Sequence, residues 1–169
     1  GYRPLEFIID QEKNNGNSLI NKSKKIILLA PSWGPNSILE FCGPSVIDHL
    51  LCSDHLVYLR PHPMTLKHSQ KLILEIKNTF KNNKKFILQD NLSNQEIFFQ
   101  ADILITDWSG VALEYSFGRL KPVLFIDVPQ KNNNPESHLL NIEPIEKSIR
   151  NQIGQIINPN ELDSINKVI

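Results

Sequence analysis

Short aliphatic runs recur along the chain, and segments with helical or turn character separate them. Five of these runs lack a regular alternation of apolar and polar positions, which is typical of strands that are buried on both faces of a sheet. The predicted strands are Ile26–Ala30, His55–Leu59, Phe86–Leu88, Ile103–Thr106 and Pro122–Ile126. Buried strands that alternate with helices indicate an α/β fold, a doubly wound parallel sheet with helices on both faces.

Helices are predicted between and after these strands, from apolar positions three or four apart and from capping signals. The predictions are a short helix over Ser45–Leu51, a longer helix with Leu66, Ser69, Ile73, Ile76 and Phe80 on one face, a helix opened by the capping box Ser93-x-x-Glu96, a helix from Gly110 to Phe117, and two more over Ile145–Ile156 and Glu161–Val168. In the helix over 145–156, Glu146 and Arg150 are expected one turn apart on the surface. The segment from Asp127 to Pro144 is predicted to be a long polar loop.

The first 24 residues are polar and rich in Asn and Lys apart from Leu5–Ile9. This composition predicts a linker or N-terminal extension with no more than a docked turn. Residues 25–169 are then expected to form one domain, which is long enough to bury a core. Because the chain does not begin with Met, we expect it to be a fragment of a longer protein. No apolar run approaches the roughly 18 residues of a membrane span.

Charge and cysteine content limit the possible partners. Eighteen basic and eighteen acidic residues cancel, so no net field favours nucleic acid as a partner. The two cysteines, Cys42 and Cys52, fit neither a disulfide framework nor a metal-ligand pattern, and we expect reduced thiols in a cytoplasmic protein. No metal or other cofactor is predicted.

The segment from Ala101 to Phe117 predicts a strand, a tight turn and a buried helix. Helical side chains lean toward the N-terminus, so Glu114 is expected to project back over Gly110, which has no side chain to block it. The free N–H groups of the first helical turn, beside the small residues Ser109 and Gly110, form a site for an anion such as phosphate. A phosphate at these amides and a hydroxyl-rich group at Glu114, one helical turn away, together describe a nucleoside diphosphate.

A structural alternative competes with this hypothesis: Glu114 pairs with Arg119 or Lys121, and Ser109 only caps the helix. In favour of nucleotide binding, ligands of parallel α/β sheets bind beyond the carboxyl ends of the strands. The polar segments of chemical interest all follow a predicted strand. They are Ser32–Asn36, Arg60–Pro63, Gln89–Asn91 and Asp107–Gly110.

Arg60 and His62 form a second candidate site. Prolines at 61 and 63 hold the backbone extended and remove its N–H groups, so an anion there must be bound by side chains. Residues two apart in an extended chain point the same way. Arg60 and His62 are therefore expected to form a two-pronged site that binds phosphate or, through His62, moves a proton.

Two loop segments are expected to shape the site. Asp107 is expected to accept hydrogen bonds from the amides of its own turn, with direct contact to a ligand as the second possibility. Ser32, Trp33 and Gly34 follow the first strand and form a candidate substrate loop. Trp33 either packs on the core, which is the favoured interpretation, or covers a ligand ring.

Four motifs follow one another in a characteristic order and spacing. They are Ile-Leu-Leu-Ala-Pro-Ser-Trp at 27–33, Arg-Pro-His-Pro at 60–63, Ala-Asp-Ile-Leu-Ile-Thr-Asp-Trp-Ser-Gly at 101–110 and Lys-Pro-Val-Leu-Phe at 121–125. Together they resemble the CDP-glycerol glycerophosphotransferase family, the teichoic-acid primases and polymerases and related capsule enzymes. The resemblance covers residues 26–127, and four motifs are far more specific than one. It implies a GT-B fold, in which two Rossmann-like halves enclose the active site, and this chain resembles the C-terminal, donor-binding half.

The resemblance also implies a function. Such an enzyme moves glycerol phosphate, or a related polyol or sugar phosphate, from a CDP-activated donor to a cell-surface polymer. The implied roles are Arg60 and His62 as catalytic groups at the CDP phosphates, Ser109 and Gly110 at the pyrophosphate, Glu114 at the ribose, and Gln89, Asp90 and Asn91 along the cytosine.

The implied partners are a nucleotide-activated small molecule, a polymer or lipid-linked acceptor, and the missing N-terminal half with the catalytic base. This fragment alone is then expected to bind nucleotide without turnover. The full-length protein is expected in the cytoplasm, at the inner face of the cytoplasmic membrane.

Two alternatives stay open. Asp-Trp-Ser-Gly at 107–110 stands where the family usually has Asp-Tyr-Ser-Ser, and the tail beyond Asp127 matches poorly. Ser-Gly followed by Glu also resembles the UDP-GlcNAc 2-epimerase pattern, so a UDP-sugar glycosyltransferase or epimerase-like enzyme is the first alternative. The second is a noncatalytic module that docks on polymer or membrane through the lysines of the long helix, Lys67, Lys71, Lys77 and Lys81.

Overall fold

Parallel strands form the centre of the fold in the computed structural model, which describes residues 2–15, 24–91, 95–130 and 143–169. The strands are β1 (Ile26–Leu29), β2 (Leu56–Leu59), β3 (Phe86–Leu88), β4 (Ile103–Thr106), β5 (Val123–Ile126) and β6 (Gly154–Ile157). Over the described residues they form a six-stranded sheet in the order β3-β2-β1-β4-β5-β6, and every pairing is parallel. The doubly wound sheet predicted from the sequence is confirmed.

Helices cover both faces of this sheet. They are α1 (Arg3–Asn15), α2 (Ile38–Cys42), α3 (Ser45–Leu51), α4 (Pro63–His68), α5 (Gln70–Phe80), α6 (Glu96–Gln100), α7 (Val111–Arg119), α8 (Ile145–Ser148), α9 (Arg150–Ile153), a 3₁₀ helix (Pro159–Ser164) and α10 (Ile165–Val168). Successive residues of β1 enter different cores because strand side chains alternate between faces. Ile27 and Leu29 pack with α2, α3, α5 and α10, whereas Leu28 packs with α1, α6 and α7.

The C-terminal region differs from the sequence prediction. The prediction of one continuous helix over 145–156 is wrong. Two short helices, α8 and α9, are followed by β6, which pairs with β5. Gly154 permits this pairing: a Cβ there would lie 2.2 Å from the carbonyl oxygen of Val123. The last predicted helix begins as a 3₁₀ helix and becomes α10 only at Ile165.

The N-terminal segment is a helix where the sequence predicted a linker. α1 packs along α7, and the side chain of Ile8 fills the space beside Gly118. The carboxylate of Glu12 accepts a hydrogen bond from the guanidinium of Arg119, whose side chain is buried. The linker prediction failed because α1 is mostly polar and its docking depends on a groove that only the folded domain supplies. The domain boundary at 24/25 stays a prediction.

Three smaller differences concern the continuity, burial and N-terminus of predicted helices. The long helix predicted from Leu66 to Phe80 is interrupted at Ser69, whose φ of −118° and ψ of 42° separate α4 from α5. α7 is not buried on every face, since 42% of Phe117 is exposed. α6 begins at Glu96 with Gln95 as its N-cap, and Ser93 of the predicted capping box lies outside the described residues.

The loop predicted between Asp127 and Pro144 lies largely in residues 131–142, which are outside the described residues. Over the part of the chain that is described, no helix combines the length and the apolar character needed to cross a membrane.

We expect Gly118→Ala to destabilise the chain by about 1–3 kcal/mol, because the new methyl group must displace Ile8 or move α1 away from α7. A Cβ at this position would lie only 2.4 Å from Cγ2 of Ile8. Unfolding in urea measures the change. Gly110→Ala is the matched control: its Cβ would meet no atom within 4 Å, so stability should be unchanged or higher by up to about 1 kcal/mol. A Gly118→Ala chain as stable as the wild type would contradict the close packing of α1 on α7.

Candidate functional site

The strand order reverses between β1 and β4, which are neighbours at the centre of the sheet. In open parallel sheets, ligands bind beyond the carboxyl ends of the strands at such a reversal. The loop that follows β1 and the turn at 107–110 that follows β4 lie at this edge. The hydroxyl of Thr106 donates a hydrogen bond of 2.7 Å to the carbonyl of Ala30, which ties the two strand ends together.

Asp107 connects these two segments through its buried carboxylate, of which 1% is exposed. One oxygen accepts a hydrogen bond of 2.8 Å from the amide of Ser32, and the other accepts one of 2.9 Å from the amide of Ile38. Burial raises the pKa of the Asp107 carboxyl, and amide donors, including that of Trp108, oppose this rise. Asp107 therefore contacts its own turn as expected, and it also holds the loop after β1.

A cavity of about 740 Å³ opens at the same edge of the sheet, within the range of roughly 300–1,000 Å³ that is usual for small-molecule sites. Four residues predicted from the sequence line it together: Arg60, His62, Ser109 and Glu114. The polar residues Arg3 and Gln95, which the sequence analysis did not select, also line it. Its apolar wall includes Phe7, Ile8, Leu28, Phe98 and Phe99.

Contacts with the backbone of α4 and with Trp33 hold His62 in place. It is the N-cap of α4, and its Nδ1 accepts a hydrogen bond of 3.1 Å from the amide of Met64. The neutral imidazole ring therefore carries its proton on Nε2. The indole ring of Trp33 stacks on the imidazole, with centroids 6.1 Å apart and an angle of 25° between the planes. Trp33 is 37% exposed and belongs to neither core cluster, so the favoured interpretation that it packs on the core is wrong, and it packs against a candidate site residue.

Arg60 lies beside His62 in the lining of the cavity, as the two-residue spacing predicts. Burial lowers the pKa of the Arg60 guanidinium, but an arginine remains charged at neutral pH. The cavity therefore contains a permanent cation next to a histidine whose tautomer is defined.

In the described part of the chain, Glu114 does not pair with Arg119 or Lys121, the partners that the structural alternative predicted for it. Its Oε1 accepts a hydrogen bond of 2.7 Å from the hydroxyl of Tyr2. Arg119 forms its ion pair with Glu12, and Nζ of Lys121 lies 3.8 Å from Asp102. Glu114 faces the cavity, in agreement with the placement over the start of the helix.

Other predicted site residues are not part of the lining of this cavity. Residues 89–91 follow β3, and the amide of Gln89 donates a hydrogen bond of 2.8 Å to the carbonyl of Leu59. Gly110 lines a second cavity, of about 370 Å³, that shares Glu114 with the first. Gly34 has a φ of 98°, so the loop after β1 needs glycine there. The ligand roles predicted for residues 32–34 and 89–91 stay predictions.

Arg150 contradicts the prediction that it lies on the surface with Glu146. Only 4% of Arg150 is exposed, because the break between α8 and α9 turns it inward. Its guanidinium carbon lies 4.0 Å from the ring centroid of Trp108 and 4.8 Å from that of Phe125. Its Nη1 donates a hydrogen bond of 2.7 Å to Asp127. A helical pattern in the sequence gives no signal of this contact.

The class of protein follows from the sheet and from a solved structure. A UDP-GlcNAc 2-epimerase from Methanocaldococcus jannaschii superposes with a TM-score of 0.59 at 16% identity, over 97% of this chain and 44% of that chain. At this identity the likeness shows the fold alone. The chain has a Rossmann-like α/β fold, and the solved structures that resemble it are GT-B proteins.

Two relatives and a family model then define the family. The model described as CDP-Glycerol:Poly(glycerophosphate) glycerophosphotransferase matches residues 10–132. The teichoic acid poly(glycerol phosphate) polymerase of Bacillus spizizenii strain W23 is 32% identical over 114 residues, which are 63% of this chain and 27% of that protein. The teichoic acid glycerol-phosphate primase of Bacillus subtilis strain 168 is 30% identical over 125 residues, 69% of this chain and 29% of that protein.

The chain therefore belongs to the CDP-glycerol:poly(glycerophosphate) glycerophosphotransferase family, as the four motifs predicted. It spans between 27% and 29% of the length of these two relatives. The family match ends at residue 132, before β6 and Arg150.

The charge of Asp107 can be tested through Cys42. Burial and the nearby Asp107 raise the pKa of the Cys42 thiol to about 11, so iodoacetamide should alkylate it far more slowly at neutral pH than the exposed Cys52. Asp107→Asn removes the negative charge and should move the pH midpoint of Cys42 alkylation downward, because the thiolate is then less disfavoured. Peptide mass spectrometry measures both thiols in one sample.

Glu75→Gln, on the exposed face of α5, is the control for a lost carboxylate and should leave the Cys42 midpoint unchanged. A local opening of the fold would also lower this midpoint, because it removes the burial that raises the pKa of Cys42, so near-UV circular dichroism and the urea midpoint of Asp107→Asn must match the wild type. An unchanged midpoint in Asp107→Asn would show that Asp107 is not charged beside Cys42.

Proposed function

We propose that this chain is the donor-binding half of an enzyme that transfers glycerol phosphate, or a related polyol or sugar phosphate, from a CDP-activated donor to a cell-surface polymer. One observation carries the proposal: in a member of this family, Arg60, His62, Ser109 and Glu114 line one cavity at the strand reversal. The relatives support the reaction class, since one is a glycerol-phosphate polymerase and the other a primase.

The phosphates of the donor bind at the cationic end of the cavity. Arg60 offers the planar fork that suits phosphate oxygens, and the Nε2 proton of His62 provides a further donor. Ser109, just before α7, lines the same cavity, and with Gly110 it leaves room for an anion to approach the backbone. Phosphate between these groups places the ribose hydroxyls at Glu114, one helical turn further along.

The transfer step uses positioning and charge stabilisation. A hydroxyl oxygen of the acceptor forms a bond to the β-phosphorus of the donor, and the bond from that phosphorus to the oxygen bridging the two phosphates breaks. CMP leaves with the electron pair, and Arg60, His62 and the turn amides offset its charge. The acceptor proton passes to a base outside this chain, so this chain alone binds the donor without turning it over.

Calorimetric titration with CDP, UDP, CDP-glycerol and UDP-GlcNAc tests the donor. We expect saturable binding of CDP and CDP-glycerol and affinity for the uridine compounds lower by about tenfold or more, because a site that hydrogen-bonds one base leaves polar groups unpaired with the other. Tighter binding of UDP would replace the proposal with a UDP-sugar enzyme. Absence of binding by all four would contradict a donor site in this chain.

Two substitutions separate the phosphate end of the site from the ribose end. His62→Asn keeps an N-cap acceptor for α4 but removes the Nε2 donor, so it should weaken CDP by about tenfold and leave cytidine unchanged. Glu114→Gln keeps an acceptor for Tyr2 but removes the carboxylate, so it should weaken CDP and cytidine alike. His68→Asn, at the exposed end of α4, is the control. Equal effects of His62→Asn on CDP and cytidine would refute its phosphate role.

A further inference from the structure

Arg150 is a buried cation that no part of the proposed mechanism uses. Its guanidinium lies between the rings of Trp108 and Phe125. Trp108 belongs to the turn at 107–110, next to Ser109, which lines the cavity. Arg150 thus contacts this turn through the ring of Trp108, and it lies beyond the residues of the family match.

We propose that Arg150 is a positioning residue for the anion-binding turn at 107–110: it fixes the ring of Trp108 and places a positive charge behind the turn. This inference rests on the proposed function, in which that turn binds the donor pyrophosphate. Arg150 itself does not touch the donor.

The first step of the argument concerns the ring of Trp108. Its indole Nε1 donates a hydrogen bond of 2.8 Å to the carbonyl of Val128, so one edge of the ring is tied to the end of β5. The guanidinium of Arg150 covers a face of the same ring at 4.0 Å, an arrangement that a cation and an aromatic face stabilise. Edge and face contacts together fix the ring, and the backbone that carries it leads directly to Ser109.

The second step concerns charge. Nε and Nη2 of Arg150 are buried and have no hydrogen-bond partner among the described residues. Its ion-pair partner Asp127 has half of its side chain exposed to solvent, so water screens the compensating charge. A buried cation that is only partly neutralised favours an anion nearby.

The third step is a comparison with a purely structural role. A hydrophobic side chain of similar volume would pack between Trp108 and Phe125 without the cost of desolvating a guanidinium. The charge therefore calls for a role besides packing, and an anion at the adjacent turn supplies one.

The test uses two substitutions in the full chain. Arg150→Met keeps an unbranched apolar stem between the rings and removes the charge. Arg150→Lys keeps the charge and removes the planar group that stacks on Trp108. Lys147→Met, an exposed lysine of α8, is the control for loss of one positive charge. CDP and cytidine affinities are measured by calorimetry after thermal unfolding has shown which variants fold.

Arg150→Met should weaken CDP by about tenfold and leave cytidine unchanged, because the charge acts on the phosphates. Arg150→Lys should retain more of the CDP affinity than Arg150→Met. Lys147→Met should match the wild type. Wild-type CDP affinity in Arg150→Met would overturn the inference while the proposed function stands. If Arg150→Met does not fold, the Arg150→Lys variant tests the inference instead. A wild-type CDP affinity in that variant, together with wild-type acrylamide quenching of Trp108 (described below), would overturn the inference.

A second measurement does not require the ligand. The chain has two tryptophans, so in the Trp33→Phe variant all tryptophan fluorescence comes from Trp108. In that background, Arg150→Met and Arg150→Lys should both make Trp108 easier to quench with acrylamide, since each removes the planar cover on its face. If the wild-type chain fails to bind CDP, the proposed function fails, and unchanged quenching of Trp108 in both variants would overturn the positioning role independently.

Discussion

The candidate site depends on the buried carboxylate of Asp107, which connects two segments far apart in sequence. Removing a carboxylate from water disfavours its charged form, and amide donors from Ser32, Ile38 and Trp108 oppose that cost. In return, the loop after β1 and the turn after β4 are held at a fixed separation. Trp33, which stacks on His62, lies in the first segment, and Ser109 lies in the second. Asp107 therefore fixes the loop that carries Trp33 relative to the turn that carries Ser109.

α1 forms part of the wall of the cavity. Gly118 allows α1 to approach α7 closely, and the contact between Glu12 and Arg119 fixes its far end. As a result Phe7 and Ile8 line the cavity, and the hydroxyl of Tyr2 reaches Glu114. A segment whose composition is typical of a linker thus completes the site, because its few apolar residues meet a groove formed by distant parts of the chain.

β1 to β5 could be predicted because a parallel sheet requires continuous apolar runs, and these strands follow the runs closely. β6 could not, because its sequence Gly-Gln-Ile-Ile contains only two apolar residues, of which Ile156 is exposed and only Ile157 is buried. Arg60, His62 and Ser109 could be predicted as site residues because they follow parallel strands, whose carboxyl ends meet at one edge of the sheet. Residues such as Gln95 gave no signal, since their place in the lining arises only when separate elements pack together.

Two buried charges of opposite sign lie at the turn 107–110, one on Asp107 within the turn and one on Arg150 beside it. The negative charge of Asp107 is engaged by backbone donors on both of its oxygens, so little of it acts on a ligand. The positive charge of Arg150 is shared with the half-exposed carboxylate of Asp127, and two of its nitrogens lack a hydrogen-bond partner within the described residues. In the proposed site, we therefore expect the charge of Arg150 to act on a bound phosphate more strongly than the charge of Asp107 does. In the sequence Arg150 has the spacing of an exposed ion pair, because the same residue pattern serves a solvated helix and a cation buried against Trp108 and Phe125.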